Sequence, residues 1–159
     1  MPLPVAARRL AYRAAFRVLQ LSWLLRRPSK LGVKCRLTHQ GRILLVRHTY
    51  GHRAWDLPGG AIKRNEAPRA AAQREMLEEL GVTSDQWTQA GSVRGVVNHR
   101  RDTIYCFDAE LASPAITIHE GELATASWFD RGSLPPNLGP YVAPMLALTP
   151  TRSSPEACS

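Results

Sequence analysis

The spacing of apolar residues changes along the chain, and each change predicts an element. From Val5 to Arg27, Leu10, Ala14, Val18, Leu21 and Leu25 form one helical stripe. Tyr12, Phe16, Leu19 and Trp23 form a second on nearly the opposite side, with Arg9, Arg13, Arg17, Arg26 and Arg27 between. Pro28 ends that helix. From Val33 to His39 the period becomes two, with Val33, Cys35 and Leu37 inward and Lys34, Arg36 and Thr38 outward. Gln40-Gly41 then predicts a short turn, and Arg42 to His48, apolar through its middle, a strand buried on both faces. Further on, Trp87 to Asn98 and Thr103 to Leu111 predict two strands joined by the turn His99 to Asp102. Ala124 to Phe129 predicts another strand after a loop from Ala112 to Leu123. A final helix is expected from about Gly139 to Leu148, with Pro144 near its start, and Thr149 to Ser159 reads as a disordered tail.

Between these strands lies Trp55 to Val82, WDLPGGAIKRNEAPRAAAQREMLEELGV. Pro68 suits the first position of a helix and Gly81 the residue just past its end. At 100° per residue Glu75, Glu78 and Glu79 fall in one arc, with Met76, Leu77, Leu80 and Ala70 roughly opposite as the packing face. Three glutamates on a helix are most simply a solvated acidic face. Here Glu75 forms like-charge pairs with Glu78 and Glu79, each costing roughly 0.2–0.5 kcal/mol. Glu78 and Glu79 also sit at the end of the helix where negative charge is unfavourable. A hard divalent cation removes both costs, because it prefers oxygen ligands and leaves room for water and phosphate.

Gly60, five residues, Glu66, seven residues and then Arg74-Glu75-Met76-Leu77-Glu78-Glu79-Leu80-Gly81-Val82 resembles the Nudix box without gap or substitution. The flanks from about Leu31 to Leu148 also look like the Nudix (MutT-like) fold, an α/β (α+β) architecture with a mixed sheet sandwiched between helices. The resemblance implies a hydrolase that cleaves the phosphoanhydride of a nucleoside diphosphate linked to another group, using magnesium or manganese. It makes Glu78, Glu79 and the carbonyl of Gly59 metal ligands, Glu75 a ligand or the base that activates water, and Arg74 with Glu66 an orienting ion pair. Glu122, six residues before Trp128, matches the position of a further acid that completes the metal site in this family, with Glu120 in reserve. Independently of the family, an Arg beside three carboxylates can grip one in bidentate fashion and leave others free.

Composition adds an uneven charge. The 159 residues carry a formal +8, and no Asp or Glu precedes Asp56, whereas twelve of the 21 Lys and Arg do. Such a bias suits anionic lipid, nucleic acid or a phosphorylated substrate, and composition does not choose among them. Arg47, Arg53 and Lys63 are the candidate phosphate-binding residues, Arg47 foremost because a strand fixes it. The expected partner is a small nucleotide; a nucleic-acid partner is not expected, although the 5′ end of RNA stays among the alternative substrates. A sensing or scaffold module without turnover is the rival class, disfavoured by the complete acid set. The two apolar faces of residues 1–30 call for two partners: the rest of the chain plus a second subunit in a homodimer, or a membrane interface contacted peripherally. An acid-free, Arg-rich start also resembles a mitochondrial transit peptide. Cys35, Cys106 and Cys158 lack metal-ligand spacing, which gives a reducing, cytoplasmic compartment as the expectation, with Cys35 and Cys106 as small buried residues of strands. The expected division is therefore the helix at 1–30, a hydrolase domain at 31–148 and a tail at 149–159.

Overall fold

A computed structural model describes residues 29–49, 53–97, 100–119 and 123–150. The elements are β1 (Ser29–His39), β2 (Arg42–His48), α1 (Pro68–Leu80), β3 (Thr88–Val97), β4 (Arg100–Glu110), β5 (Leu123–Asp130) and α2 (Val142–Leu146). Residues 31–93 and 104–150 belong to one compact unit, while 29–30 and the distal ends of β3 and β4 belong to a second, smaller one. The expected N-terminal helix and the end of the tail lie outside the described residues.

One five-stranded sheet has the order β3-β4-β1-β2-β5. The β1–β2 hairpin pairs Thr38 with Ile43 and His39 with Arg42, leaving two residues for the turn. Both of these, Gln40 (φ 49°) and Gly41 (φ 78°), are left-handed, the geometry of a tight hairpin turn that matches strand twist. β2 pairs antiparallel with β5 from Arg42 opposite Asp130 to Arg47 opposite Thr125. Between β1 and β4, Arg36 meets Asp108, Thr38 meets Glu110 and His39 meets Leu111, each 72 residues apart. That constant offset is the mark of parallel strands, and it makes the sheet mixed.

β2 separates two cores by its alternation. Leu44 and Val46 join Val33, Cys35 and Leu37 of β1 and Ala71, Ala72, Met76 and Leu80 of α1 on one face. Ile43 and Leu45 join Ile104, Cys106, Val142 and Met145 on the other, beneath α2. Cys35 and Cys106 are fully buried, and burial pushes both thiols up, Cys106 to about 11, so neither is a nucleophile near neutral pH.

Several expectations change. Arg36 is buried, because its guanidinium is paired with Asp108 and donates to the carbonyls of Met145 and Leu148 at the end of α2. Lys34 is likewise held, by Asp56 and the Leu57 carbonyl. Arg100, Arg101 and Asp102 lie within β4 and not in the turn expected at His99 to Asp102. The last helix is limited to Val142–Leu146.

Candidate active site

The strand β1 changes partner along its length. Near its C-terminal end it pairs with β2; farther back, Cys35 N–H donates to Pro58 O and Val33 N–H to Gly60 O, both at 2.9 Å, and Ile62 N–H donates to Leu31 O at 3.0 Å. The segment Pro58 to Ile62 is therefore an extended stretch laid antiparallel on β1, and it is the seat of the acidic cluster. Gly59 has φ 143°, and a Cβ there would lie 2.2 Å from Val33 O. Only glycine fits so close to β1. At Gly60 the crowding comes from the opposite side: a Cβ would stand 2.4–2.5 Å from the carboxylate atoms of Glu75.

α1 is placed over this segment by its own ends. Pro68 opens it, and left-handed Gly81 closes it, with N–H groups of Gly81 and Val82 returning to Leu77 O and Met76 O. The packed arc differs from the expected one. Leu77 is 55% exposed and Ala70 is exposed, whereas Ala71, Ala72, Met76 and Leu80 are buried and so is Glu79, at 3%. At 100° per residue that arc runs from Ala71 to Leu80 with Glu79 near its middle and Glu75 within it. The acids are thus on the packing face and its border, not opposite it. Two small residues, Ala71 and Ala72, let the helix come close to its support, and Glu79 is compensated there by the Gly59 N–H at 3.1 Å.

Arg74 organises the remaining acids. Its Nε and Nη2 grip Glu66 in bidentate fashion at 2.7 and 2.9 Å, and Nη2 also donates to Ala61 O at 3.0 Å. Its Nη1 donates to Glu75 at 2.7 Å and to Glu78 at 3.1 Å. Glu66 is fixed further by the Lys63 N–H at 2.8 Å. The Arg74 guanidinium first, and this backbone N–H second, hold the Glu66 carboxyl down at about 2, and the same pairing raises Arg74. Among the described residues no hydrogen bond reaches the Gly59 carbonyl, whereas those of Pro58 and Gly60 are taken by β1.

The family model described as the NUDIX domain matches residues 28–149. This chain belongs to the NUDIX domain family. Over 61 residues it is 39% identical to the RNA pyrophosphohydrolase of Saccharophagus degradans, a stretch that is 38% of this chain and 36% of that protein. Over 42 residues it is 45% identical to the ADP-ribose pyrophosphatase of Mycobacterium tuberculosis, 26% of this chain and 20% of that one. The chain thus aligns with little more than a third of these relatives' length at most. The MutT NUDIX hydrolase of Burkholderia pseudomallei has the same fold, with a TM-score of 0.69 at 24% identity over 74% of this chain and 95% of that one.

Against the NUDIX pattern, the structure brings Glu66, Arg74, Glu75 and Glu78 into one hydrogen-bonded group, with Glu79 on the adjoining Gly59. The atoms available to a metal are carboxylate oxygens plus one carbonyl oxygen, the set that a hard divalent cation takes. NUDIX hydrolases generally require such an ion. Among the described residues no three His, Cys, Asp or Glu side chains are gathered around one point, and Arg74 Nη1 stands between Glu75 and Glu78. The cationic candidates are dispersed. Arg47 faces the α2 side, its Cζ 4.7 Å from the centre of the Trp55 ring, and Trp55 meets Phe129 edge-on at 4.9 Å. Arg53 and Lys63 are exposed, their backbones engaged by Asn137 and Glu66.

Glu120 and Glu122 lie outside the described residues. The chain leading to them is tied to α1, with Thr117 N–H on Leu80 O at 2.9 Å and His119 N–H on Glu79 O at 3.0 Å. Sequence reasoning missed this clasp, and also the role of the Gly59-Gly60 pair as a close-packed seat. The second could have been read from the two adjacent glycines together with the small residues at the start of α1.

Proposed function

We propose that this NUDIX protein is a magnesium- or manganese-dependent pyrophosphohydrolase that cleaves the phosphoanhydride of a nucleoside diphosphate joined to a further group. The observation that carries the reading is the close seating of Glu75 on Gly60 and of Glu79 on Gly59, which holds two carboxylates of one helix against a short extended stretch. Glu75, Glu78, Glu79 and the Gly59 carbonyl would hold the ion. Bound there, it supplies charge neutralisation for phosphate oxygens and acidifies water. Glu75 is the group that accepts the proton of the attacking water, since Arg74 Nη1 orients its carboxylate at 2.7 Å. Glu66 holds Arg74 in that position. Lys63 and Arg53, on the segments flanking the acidic cluster, would attract the phosphates, and Arg47 would contact a more distant part of the substrate. Glu122 is the acid proposed to approach from the loop clasped to α1.

A second reading, hydrolysis at the 5′ end of RNA, is favoured by the relatives named RNA pyrophosphohydrolase and by the basic N-terminal third. A panel of nucleoside triphosphates, ADP-ribose and other nucleotide sugars, dinucleotides and 5′-triphosphorylated RNA, with magnesium or manganese, distinguishes them by phosphate release and product mass. No turnover of any member would point to a sensing module.

A further inference from the structure

The two edges of the Arg74 guanidinium do different work. The Nε–Nη2 edge is consumed by three bonds to Glu66 and Ala61 O, groups that no reading assigns to the metal. The Nη1 corner alone is turned to Glu75 and Glu78. These two bonds differ in their setting. Glu75 is enclosed, with 12% of its side chain exposed, whereas the Glu78 side chain is 56% exposed and its bond to Nη1 is the longer. An exposed ion pair contributes little, so the Glu78 contact is the one most easily surrendered.

We propose that Arg74 is a stand-in cation for the metal: Nη1 bridges Glu75 and Glu78, and a divalent ion held by the acids would replace it at Glu78 while Glu66 and Ala61 O retain the guanidinium. This rests on the metal ligands proposed above. Its consequence is that Arg74 lowers metal affinity while keeping the acids preassembled. Without a counter-charge, Glu75 and Glu78 would repel one turn apart. With one anchored at its far edge, they stay together, and the exchange needs no movement of the anchored side.

The test is binding of manganese alone to the full-length protein, followed by electron paramagnetic resonance of the free ion. R74Q removes the competing charge, and R74K keeps the charge but replaces the fork by a single ammonium that cannot hold Glu66 and Glu78 together. Both are expected to bind manganese tighter than the parent, by about threefold for an ion pair of this exposure. Weaker or unchanged binding by both would overturn the proposal, and so would tightening by R74Q alone, which charge without geometry explains. E79Q serves as the reference for the underlying reading: if it leaves manganese affinity unchanged, the ligand set itself is wrong and both proposals fall. Should the Arg74 variants not fold, magnesium titrated into the parent, labelled with 15N at its arginines, gives the same answer. The Arg74 Nη1 signal should move and Nε should stay, and stationary signals throughout would refute the exchange.

Discussion

Gly60→Ala separates chemistry from stability, because what its methyl meets is a side chain and not the backbone. The added methyl would lie 2.4 Å from Glu75 Cδ and 2.5 Å from both carboxylate oxygens, and no backbone atom is among its three nearest neighbours. Ordinary contact needs about 3.5–4.0 Å, so the carboxylate must withdraw by about 1 Å. The moving part is the end of a flexible side chain, and its withdrawal costs the fold about 1 kcal/mol or less. Misplacing a reacting group by about 1 Å can lower a rate about 100-fold, which is about 2.7 kcal/mol in barrier. Gly59→Ala is the control with the opposite balance. Its methyl would meet Val33 O at 2.2 Å and Lys34 Cα at 2.9 Å, backbone atoms that cannot give way, at a φ of 143°. A loss of about 3 kcal/mol follows from overpacking and strain together, lowering the melting temperature by about 10 °C. The assay is turnover of the best substrate at saturating metal beside thermal unfolding of both variants. If Gly60→Ala keeps its rate within threefold of the parent while folding normally, the position of the Glu75 carboxylate is not used in the reaction.

Glu79→Gln is expected to retain the fold, because the amide oxygen can still accept from Gly59 N–H, yet to lose turnover by orders of magnitude; full activity at saturating metal would refute its role as ligand. The depressed Glu66 carboxyl makes the stabilisation from its Arg74 pair fully present above the unfolded value near 4.5 and lost as pH falls through about 2. The melting-temperature difference between the parent and Glu66→Gln should therefore be constant above about pH 5.5 and shrink steadily below pH 4.5, and a difference unchanged at pH 2.5 would contradict the pairing. Glu122→Gln should lower the maximal rate at least about tenfold and Glu120→Gln less than about threefold, about 1.4 and 0.6 kcal/mol in barrier. Equal or reversed effects would transfer the role to Glu120 or to α1 alone.

What could be read in the sequence was whatever neighbouring residues decide. Pro68 and Gly81 set the ends of α1, and Gln40-Gly41 set the hairpin, because caps and tight turns are fixed by local backbone preference. The unbroken apolar middle of β2 announced burial on both faces, and the two cores divide it residue by residue. The burial of Arg36 was not legible, since its partner lies 72 residues away and parallel pairing leaves no mark in either strand alone. Nor was the burial of Glu79. Helical angles give the relative directions of Glu79, Leu77 and Met76, but the face that packs is chosen by the support, and only the glycine stretch beside β1 makes room for a carboxylate there.

The partner change along β1 bears on how this protein can diversify. Connections around an active site ordinarily absorb insertions and deletions with little harm. Pro58 to Ile62 has no such freedom, because alternate residues are locked by main-chain bonds to Leu31, Val33 and Cys35. Adding or removing one residue would shift the register and turn Gly60 away from Glu75, so that the seat and the helix above it would no longer match. Length variation that alters substrate range is therefore confined to segments without such a ladder, and the acidic helix keeps its spacing whatever those segments come to recognise.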